Sequence, residues 1–281
     1  MSIWAHTLVK NEERYIWFSV TSVINWVDRI LLWDTGSTDD TLKIVRELKN
    51  KYPEKIDFNE VGEIDINEFT VVRNEMLKKT KSDWFMIVDG DEVWWDESIS
   101  EIIKVINSQG NNLDSIVTRN FNVVGDIFHH QEEKAGMYEI DGVKGYINIR
   151  AVNRRIPGIS FKRPHGQQGI FDEKGILIQD RDKRRRIFLK KPAYLHFTNM
   201  LRSSSFDKDK KVPKRKIKFK YELGMPFPSD FYYPEVFFKA KPKIMSSLWV
   251  KMSEKYFTIA TLERPLKYVK RSLPIFKKSG Y

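Results

Sequence analysis

Between residues 1 and 125 short apolar runs alternate with segments of helical spacing, and this rhythm leaves the chain few architectures to adopt. Ile3–Val9 and Arg29–Trp33 read as buried strands, Lys55–Val61 and Ser115–Val124 as further ones, and Trp84-Phe85-Met86-Ile87-Val88 as the strongest of all. Between them, Glu12–Trp26 carries Ile16, Val20, Val23 and Ile24 at helical intervals. Thr38 can cap a second helix bearing Thr41, Leu42, Ile44, Val45 and Leu48, and Phe69–Lys79 and Ser98–Ile106 complete the set. Strands separated by helices of this length predict βαβ units, a parallel sheet and right-handed crossovers.

With 281 residues, the chain can bury a full core as one large domain or as a domain with an appendage. The absence of cysteine excludes disulfides, thiolate metal sites and a cysteine nucleophile, and suits a reducing cytoplasm. Lys10, Glu12, Glu13 and Arg14 break the early apolar run, and no stretch approaches the roughly 20 apolar residues of a membrane span, so a cytoplasmic protein is expected. Charge is divided unevenly. Residues 1–140 hold 15 Lys and Arg against 26 Asp and Glu, whereas residues 141–281 hold 34 against 12. The acidic half excludes nucleic-acid binding there; the basic half could attract phosphates, nucleic acid or an anionic membrane, or be a plain solvated surface.

Beyond residue 125 the rhythm changes. Tyr146–Val152 and Ile187–Phe197 read as strands, with Pro157-Gly158, Pro164 and Gly166 as punctuation. Residues 201–220, from Arg202 through Lys210, Arg215 and Lys220, are basic and poor in apolar side chains, which predicts a loop or linker. The last forty residues set Trp249, Tyr256, Phe257, Ile259, Leu262, Leu266, Val269, Leu273 and Phe276 among nine Lys and Arg. Such a segment packs as helices on its own domain or lies on a membrane interface, and packing is the expectation.

Ligands of open α/β sheets bind beyond the carboxyl ends of the strands, so polar residues there are the candidates for chemistry. Lys10-Asn11-Glu12 follows the first strand, Asp34-Thr35-Gly36-Ser37-Thr38-Asp39 the second, and Asp89-Gly90-Asp91-Glu92 the fourth. Two carboxylates directly after a buried apolar strand can hold a hard divalent cation against a diphosphate. Gly90 between them allows a close backbone approach.

In this order, and with Arg73-Asn74 in a helix and Asp83-Trp84 leading into the fourth strand, these elements resemble the family 2 glycosyltransferases of the GT-A fold, in particular the small bacterial type. The resemblance covers about the first 125 residues; later it is carried only by His165 and by Tyr194-Leu195-His196-Phe197. It implies an α/β fold of GT-A type, a Rossmann-like, mostly parallel sheet flanked by helices, with a basic, partly helical C-terminal extension. Residues 1–125 would be the nucleotide-sugar half, 126–200 the acceptor half and 201–281 the extension.

The resemblance further implies an inverting, metal-dependent transfer from a nucleotide-sugar donor to a glycan or lipid-linked acceptor, in cell-surface glycan or polysaccharide assembly. Asp34, Arg73, Lys10, Glu12 and Asp89 would hold the donor, and Asp89, Asp91 and His196 the cation, Mn2+ or Mg2+. Many relatives carry two aspartates where Asp34-Thr35 stands, which bears on base selectivity. Inversion needs a general base on the acceptor side. Asp126, Glu132, Glu139, Asp141, Asp172 and His165 are candidates, with His165, Asp172 and the adjacent Glu92 as the catalytic set. A peripheral contact with the inner face of an anionic membrane would suit a lipid-linked acceptor. Three other readings exist: a haloacid-dehalogenase-like phosphatase with Asp89 as nucleophile, a carbohydrate-binding protein with a vestigial metal site, and a nucleic-acid binder suggested by the basic half; no stacking or groove-reading motif accompanies the last, so no nucleic-acid partner is expected.

Overall fold

The computed structural model describes residues 1–272. The chain opens β1 (Ile3–Val9), α1 (Ile16–Val23), β2 (Arg29–Asp34), α2 (Thr41–Lys51), β3 (Ile56–Glu60), α3 (Glu68–Lys79) and β4 (Trp84–Ile87), and these four strands run parallel in the order β4-β1-β2-β3. The residues of β4 alternate between two layers. Trp84 and Met86 enter the cluster under α1, while Phe85 and Ile87 join Leu77, Ile149 and Phe161 on the opposite face. A continuous apolar strand needs cover on both faces, and here it has it.

After β4 the helical crossovers give way to hairpins. β5 (Glu92–Trp94), α4 (Asp96–Gln109), β6 (Ser115–Val124) and β7 (Asp126–His130) are followed by the small β8–β9 hairpin (Tyr138–Ile140, Val143–Gly145) and by β10 (Ile147–Asn153). β10 inserts antiparallel between β4 and β6. β11 (Ser160–Lys162) and β12 (Gly169–Phe171) form a separate ribbon, and β13 (Arg186–His196) pairs parallel with β6 and antiparallel with β5. The sheet of ten strands is therefore mixed, its parallel part concentrated in the first half of the chain. β13 bends at Pro192, where the register with β6 shifts, because proline has no N–H for the ladder.

α1 is shorter than the predicted Glu12–Trp26: Asn11 adopts a left-handed backbone, and the Glu12 N–H is drawn to Thr41 Oγ1 at 2.7 Å. Residues 201–220 are largely loop, as one of the two expectations had it, but a packed loop and not a linker. They contain α5 (Phe206–Asp209) and α6 (Arg215–Lys218), and Arg202, Asp209 and Arg215 are buried. β14 (Met225–Pro226) then extends the sheet beside β7, and α7 (Glu254–Ser272) closes the description. Tyr256 anchors α7 by donating to Lys220 O at 2.5 Å and accepting from Glu222 N at 3.0 Å, while Ala260 is buried and Phe257 and Leu262 are exposed. Leu273 and Phe276 lie outside the described residues, as do the side chains of Leu266 and Val269. Among the described residues no helix is long and apolar enough to cross a membrane.

Candidate active site

The turns after β1 and β4 and the last residue of β13 meet at one cavity of about 500 Å³, a volume in the range of small-molecule sites. Val9, Lys10, Glu12 and Thr35 form one wall, Asp89, Gly90, Asp91 and His196 the floor, and Asn120, Asn122, Tyr146 and Asn148 the far side. Ile64, Ile66, Phe69 and Arg73, with His165, make a more apolar end. A helix delivers Arg73, a strand end delivers the two aspartates, and the distant β13 delivers His196; no single stretch of sequence builds the site.

The two aspartates of the Asp-Gly-Asp turn have different partners. Asp89 Oδ1 accepts from Arg73 Nη2 at 3.3 Å and Asp89 Oδ2 from Arg150 Nη2 at 3.1 Å. Burial pushes its carboxyl up, but the two arginines outweigh that and leave its pKa below the ordinary value. Asp91, only 1% exposed, accepts from Arg202 Nη1 at 2.6 Å and lies 3.5 Å from His196 Nε2. There too burial is overcome, by Arg202 and His196, and the carboxyl stays well below its usual range. Burial lowers the His196 pKa despite Asp91, which favours the neutral imidazole.

Residues 201–220 supply the cations. Arg202 Nη1 also donates to Glu12 Oε1 at 3.0 Å, and Arg215 donates to the same oxygen at 2.6 Å and to Asp209 Oδ1 at 3.0 Å. Lys214, Lys218 and Lys220 line the cavity as well. The sequence reading missed all of these: charge alone does not say whether a lysine or arginine faces water or a carboxylate far along the chain. The one available signal is the excess of Lys and Arg in the half that follows an acidic one.

The structure gathers most, but not all, of the predicted residues. Lys10, Glu12, Arg73, Asp89, Asp91, His165 and His196 all line the cavity. Glu12, however, anchors Arg202 and Arg215 rather than standing free. Asp34 is turned into its own loop, accepting from Gly36 N and Ser37 N at 2.9 Å each and from the Ser37 hydroxyl, so Thr35, not Asp34, borders the cavity. Gly36 makes that loop with φ of +84°, a conformation side-chain-bearing residues rarely take.

Two members of the expected catalytic set are not at the cavity. Glu92 is wholly buried beneath it, paired with Arg150 and accepting weakly from Asp89 N, and burial raises its pKa well above the usual carboxylate range. Asp172 closes a turn, accepting from Lys174 N and Ile176 N and pairing with Arg181. Neither lines the cavity. The other acceptor-side carboxylates are also spent elsewhere: Asp126 on His129, Glu132 on Lys134, Glu139 on Lys144 and Asp141 on Arg186. Only His165 of the acceptor-side candidates reaches the cavity. Its ring packs 4.4 Å from that of Phe69, and burial, helped by Lys218 and Lys214, lowers its pKa to about 4.

A divalent cation would find two side chains suited to it. Ligands about 2.1 Å from one ion stand roughly 3 to 3.5 Å apart, close to the separation of Asp91 Oδ2 and His196 Nε2. A carboxylate with a neutral imidazole is a fitting donor pair for a manganese-like ion. Among the described residues no three carboxylate or imidazole groups converge, so the remaining coordination positions would fall to ligand and water oxygens.

The fold and the site thus define an α/β protein with a cation-rimmed, carboxylate-floored pocket at the ends of parallel strands. The chain belongs to family 2 of the glycosyl transferases, whose family model matches residues 6–173. Among curated proteins it is 31% identical over 102 residues to the SPbeta prophage-derived glycosyltransferase SunS of Bacillus subtilis, covering 35% of this chain and 22% of that one. It is 29% identical over 136 residues to an uncharacterized glycosyltransferase of Rickettsia felis, covering 48% and 44%. The chain spans less than half the length of these relatives. Among solved structures, S. aureus TarS in complex with UDP-GlcNAc is similar at 16% identity and a TM-score of 0.49, over 78% of this chain and 66% of that one.

Proposed function

We propose that the chain transfers a sugar, with inversion, from a nucleoside-diphosphate sugar to a hydroxyl of a glycan or lipid-linked acceptor, assisted by Mn2+ or Mg2+, in cell-surface glycan assembly. The observation that carries this reading is the meeting of Asp91 and His196 with Arg73, Arg202, Lys214 and Lys218 around one cavity at the strand ends. Departure of a nucleoside diphosphate develops negative charge, which these cations and a bound metal ion would stabilise. Arg73 is 1% exposed, and its Nε and Nη1 have no partner among the described residues, so two donors remain for a diphosphate.

Asp89 then acts as a positioning group, fixing Arg73 from one side while Arg150 and Glu92 hold it from below. Held on both oxygens by arginines, it is a poor nucleophile, which tells against the phosphatase reading. His165 is the general base, a neutral imidazole on the cavity wall able to take the proton from the attacking hydroxyl. Exposed Phe257 and Leu262 on α7, near the exposed Lys255 and Arg264, support a peripheral contact with anionic lipid.

Incubation with a panel of UDP- and GDP-sugars, with manganese or with EDTA, tests the proposal. Nucleotide release that needs both the correct sugar nucleotide and the metal ion supports it. Turnover of p-nitrophenyl phosphate with no turnover of any sugar nucleotide would replace it with the phosphatase.

A further inference from the structure

The Arg202 guanidinium sits on the same oxygen of Asp91 that faces His196. One nitrogen, Nη1, serves both Asp91 Oδ2 at 2.6 Å and Glu12 Oε1 at 3.0 Å, while Nε is buried without a partner among the described residues. A cation seated between that oxygen and His196 Nε2 would stand beside the guanidinium, and two positive charges at such range repel strongly. Arg202 also lines the cavity, and it stands only six residues after His196 on the segment leaving β13. A guanidinium leaving Asp91 keeps Glu12 as a partner and can offer its remaining N–H groups to phosphate oxygens.

Resting on the proposed donor and metal reading, we infer that Arg202 is a placeholder for the metal ion: it neutralises Asp91 in the empty enzyme and hands that carboxylate to the cation only when a nucleoside diphosphate arrives to receive the guanidinium. Two consequences follow. The empty enzyme binds the cation weakly, since binding must break a buried, charge-assisted hydrogen bond. Nucleotide and cation raise each other's affinity by the same factor, and part of that coupling belongs to Arg202.

The test is a titration of the full chain with manganese, followed by calorimetry and by the electron paramagnetic resonance signal of free Mn2+, alone and with saturating UDP or GDP. Wild-type protein, Arg202→Gln and Asp91→Asn are compared. Without nucleotide, Arg202→Gln is expected to bind manganese at least tenfold more tightly than wild type, and with nucleotide the difference narrows. Asp91→Asn abolishes binding in both conditions. If Arg202→Gln does not fold, Arg202→Lys keeps the charge but loses the fork, and a smaller gain in the same direction is expected. Equal manganese affinity in wild type and the Arg202 variants without nucleotide, with Asp91 still required, overturns this inference alone. If no form binds manganese while a nucleotide still binds, the metal reading falls and this inference falls with it.

Discussion

Gly90 stands so close to Glu12 that a methyl group added to it would lie 2.8 Å from Glu12 Cγ, and 3.0 Å from Val9 Cγ1 on the same turn. The Asp-Gly-Asp turn therefore interlocks with the end of β1. The glycine that the sequence assigns to a close backbone approach makes that approach to another part of the protein. Gly90→Ala is expected to lower stability by about 1–3 kcal/mol through overpacking and to shift Glu12, and with it Arg202 and Arg215. Chemical denaturation measures the first effect; unchanged stability would show that the two turns yield freely.

Asp91→Asn should abolish transfer and manganese binding. It should also cost about 1–3 kcal/mol, because Asp91 is a buried partner of Arg202 and not the surface carboxylate its strand-end position suggests. Calorimetric metal titration and thermal unfolding read the two effects separately. Undiminished activity in this variant, or in wild type with EDTA, removes the metal-assisted mechanism.

The pH profile tests His165. Its pKa is lowered to about 4, so the basic, neutral ring persists down to that value and the loss of activity lies on its acid side. The kcat/KM should be level from about pH 8 to pH 5 and fall below that, whereas an ordinary histidine would produce a limb near 6.5. His165→Ala should reduce kcat by about 10²–10⁴-fold. A loss below tenfold would show that another group takes the proton.

Arg150→Met leaves Glu92 buried beneath the cavity without its cation and frees Asp89 on one side. Removing one member of a buried pair costs roughly 3–5 kcal/mol. Glu92 binds its proton more tightly folded than unfolded, so it weighs against folding as pH rises from the unfolded carboxylate range towards its raised folded value. The variant, lacking the cation that moderates this, should lose more stability than wild type over that interval. Thermal melts across pH 4–8 follow the difference, and parallel curves would show that Arg150 does not hold Glu92.

Phe257→Ser with Leu262→Ser removes two exposed apolar side chains from α7 without touching Tyr256 or Ala260. Sedimentation with anionic vesicles should fall while the melting temperature stays within about 2 °C, as surface substitutions do. Equal vesicle binding by the double variant removes α7 as the membrane contact.

Much of the fold could be read in advance because apolar continuity is a local signal. β1 and β6 keep their predicted bounds, Ile3–Val9 and Ser115–Val124, and β2 gains only Asp34. The insertion of β10 between β4 and β6, and the partnership of β13 with β5, depend on which edges meet in space, and no residue pattern announces that. At the site, strand-end carboxylates were visible because strands have ends. Asp34 and Asp172 look like their neighbours in sequence, but nearby backbone N–H groups claim their oxygens. Arg202 and Arg215 lie in a stretch with no apolar period at all, and only the three-dimensional structure pairs them with Glu12.

Those pairings close across 190 residues from Glu12 to Arg202, 203 from Glu12 to Arg215 and 111 from Asp91 to Arg202. A ribosome releases the acidic half first, with Glu12 and Asp91 exposed and mutually repelling before their counter-charges have been made. β1 to β4 can assemble on helical crossovers while synthesis continues, but the pocket is sealed only when residue 215 has emerged. The cationic side of the site is therefore a late-born part of this protein, and a nascent chain stalled short of Arg202 would carry the carboxylate floor without the Arg and Lys side chains of residues 202–220 that face it.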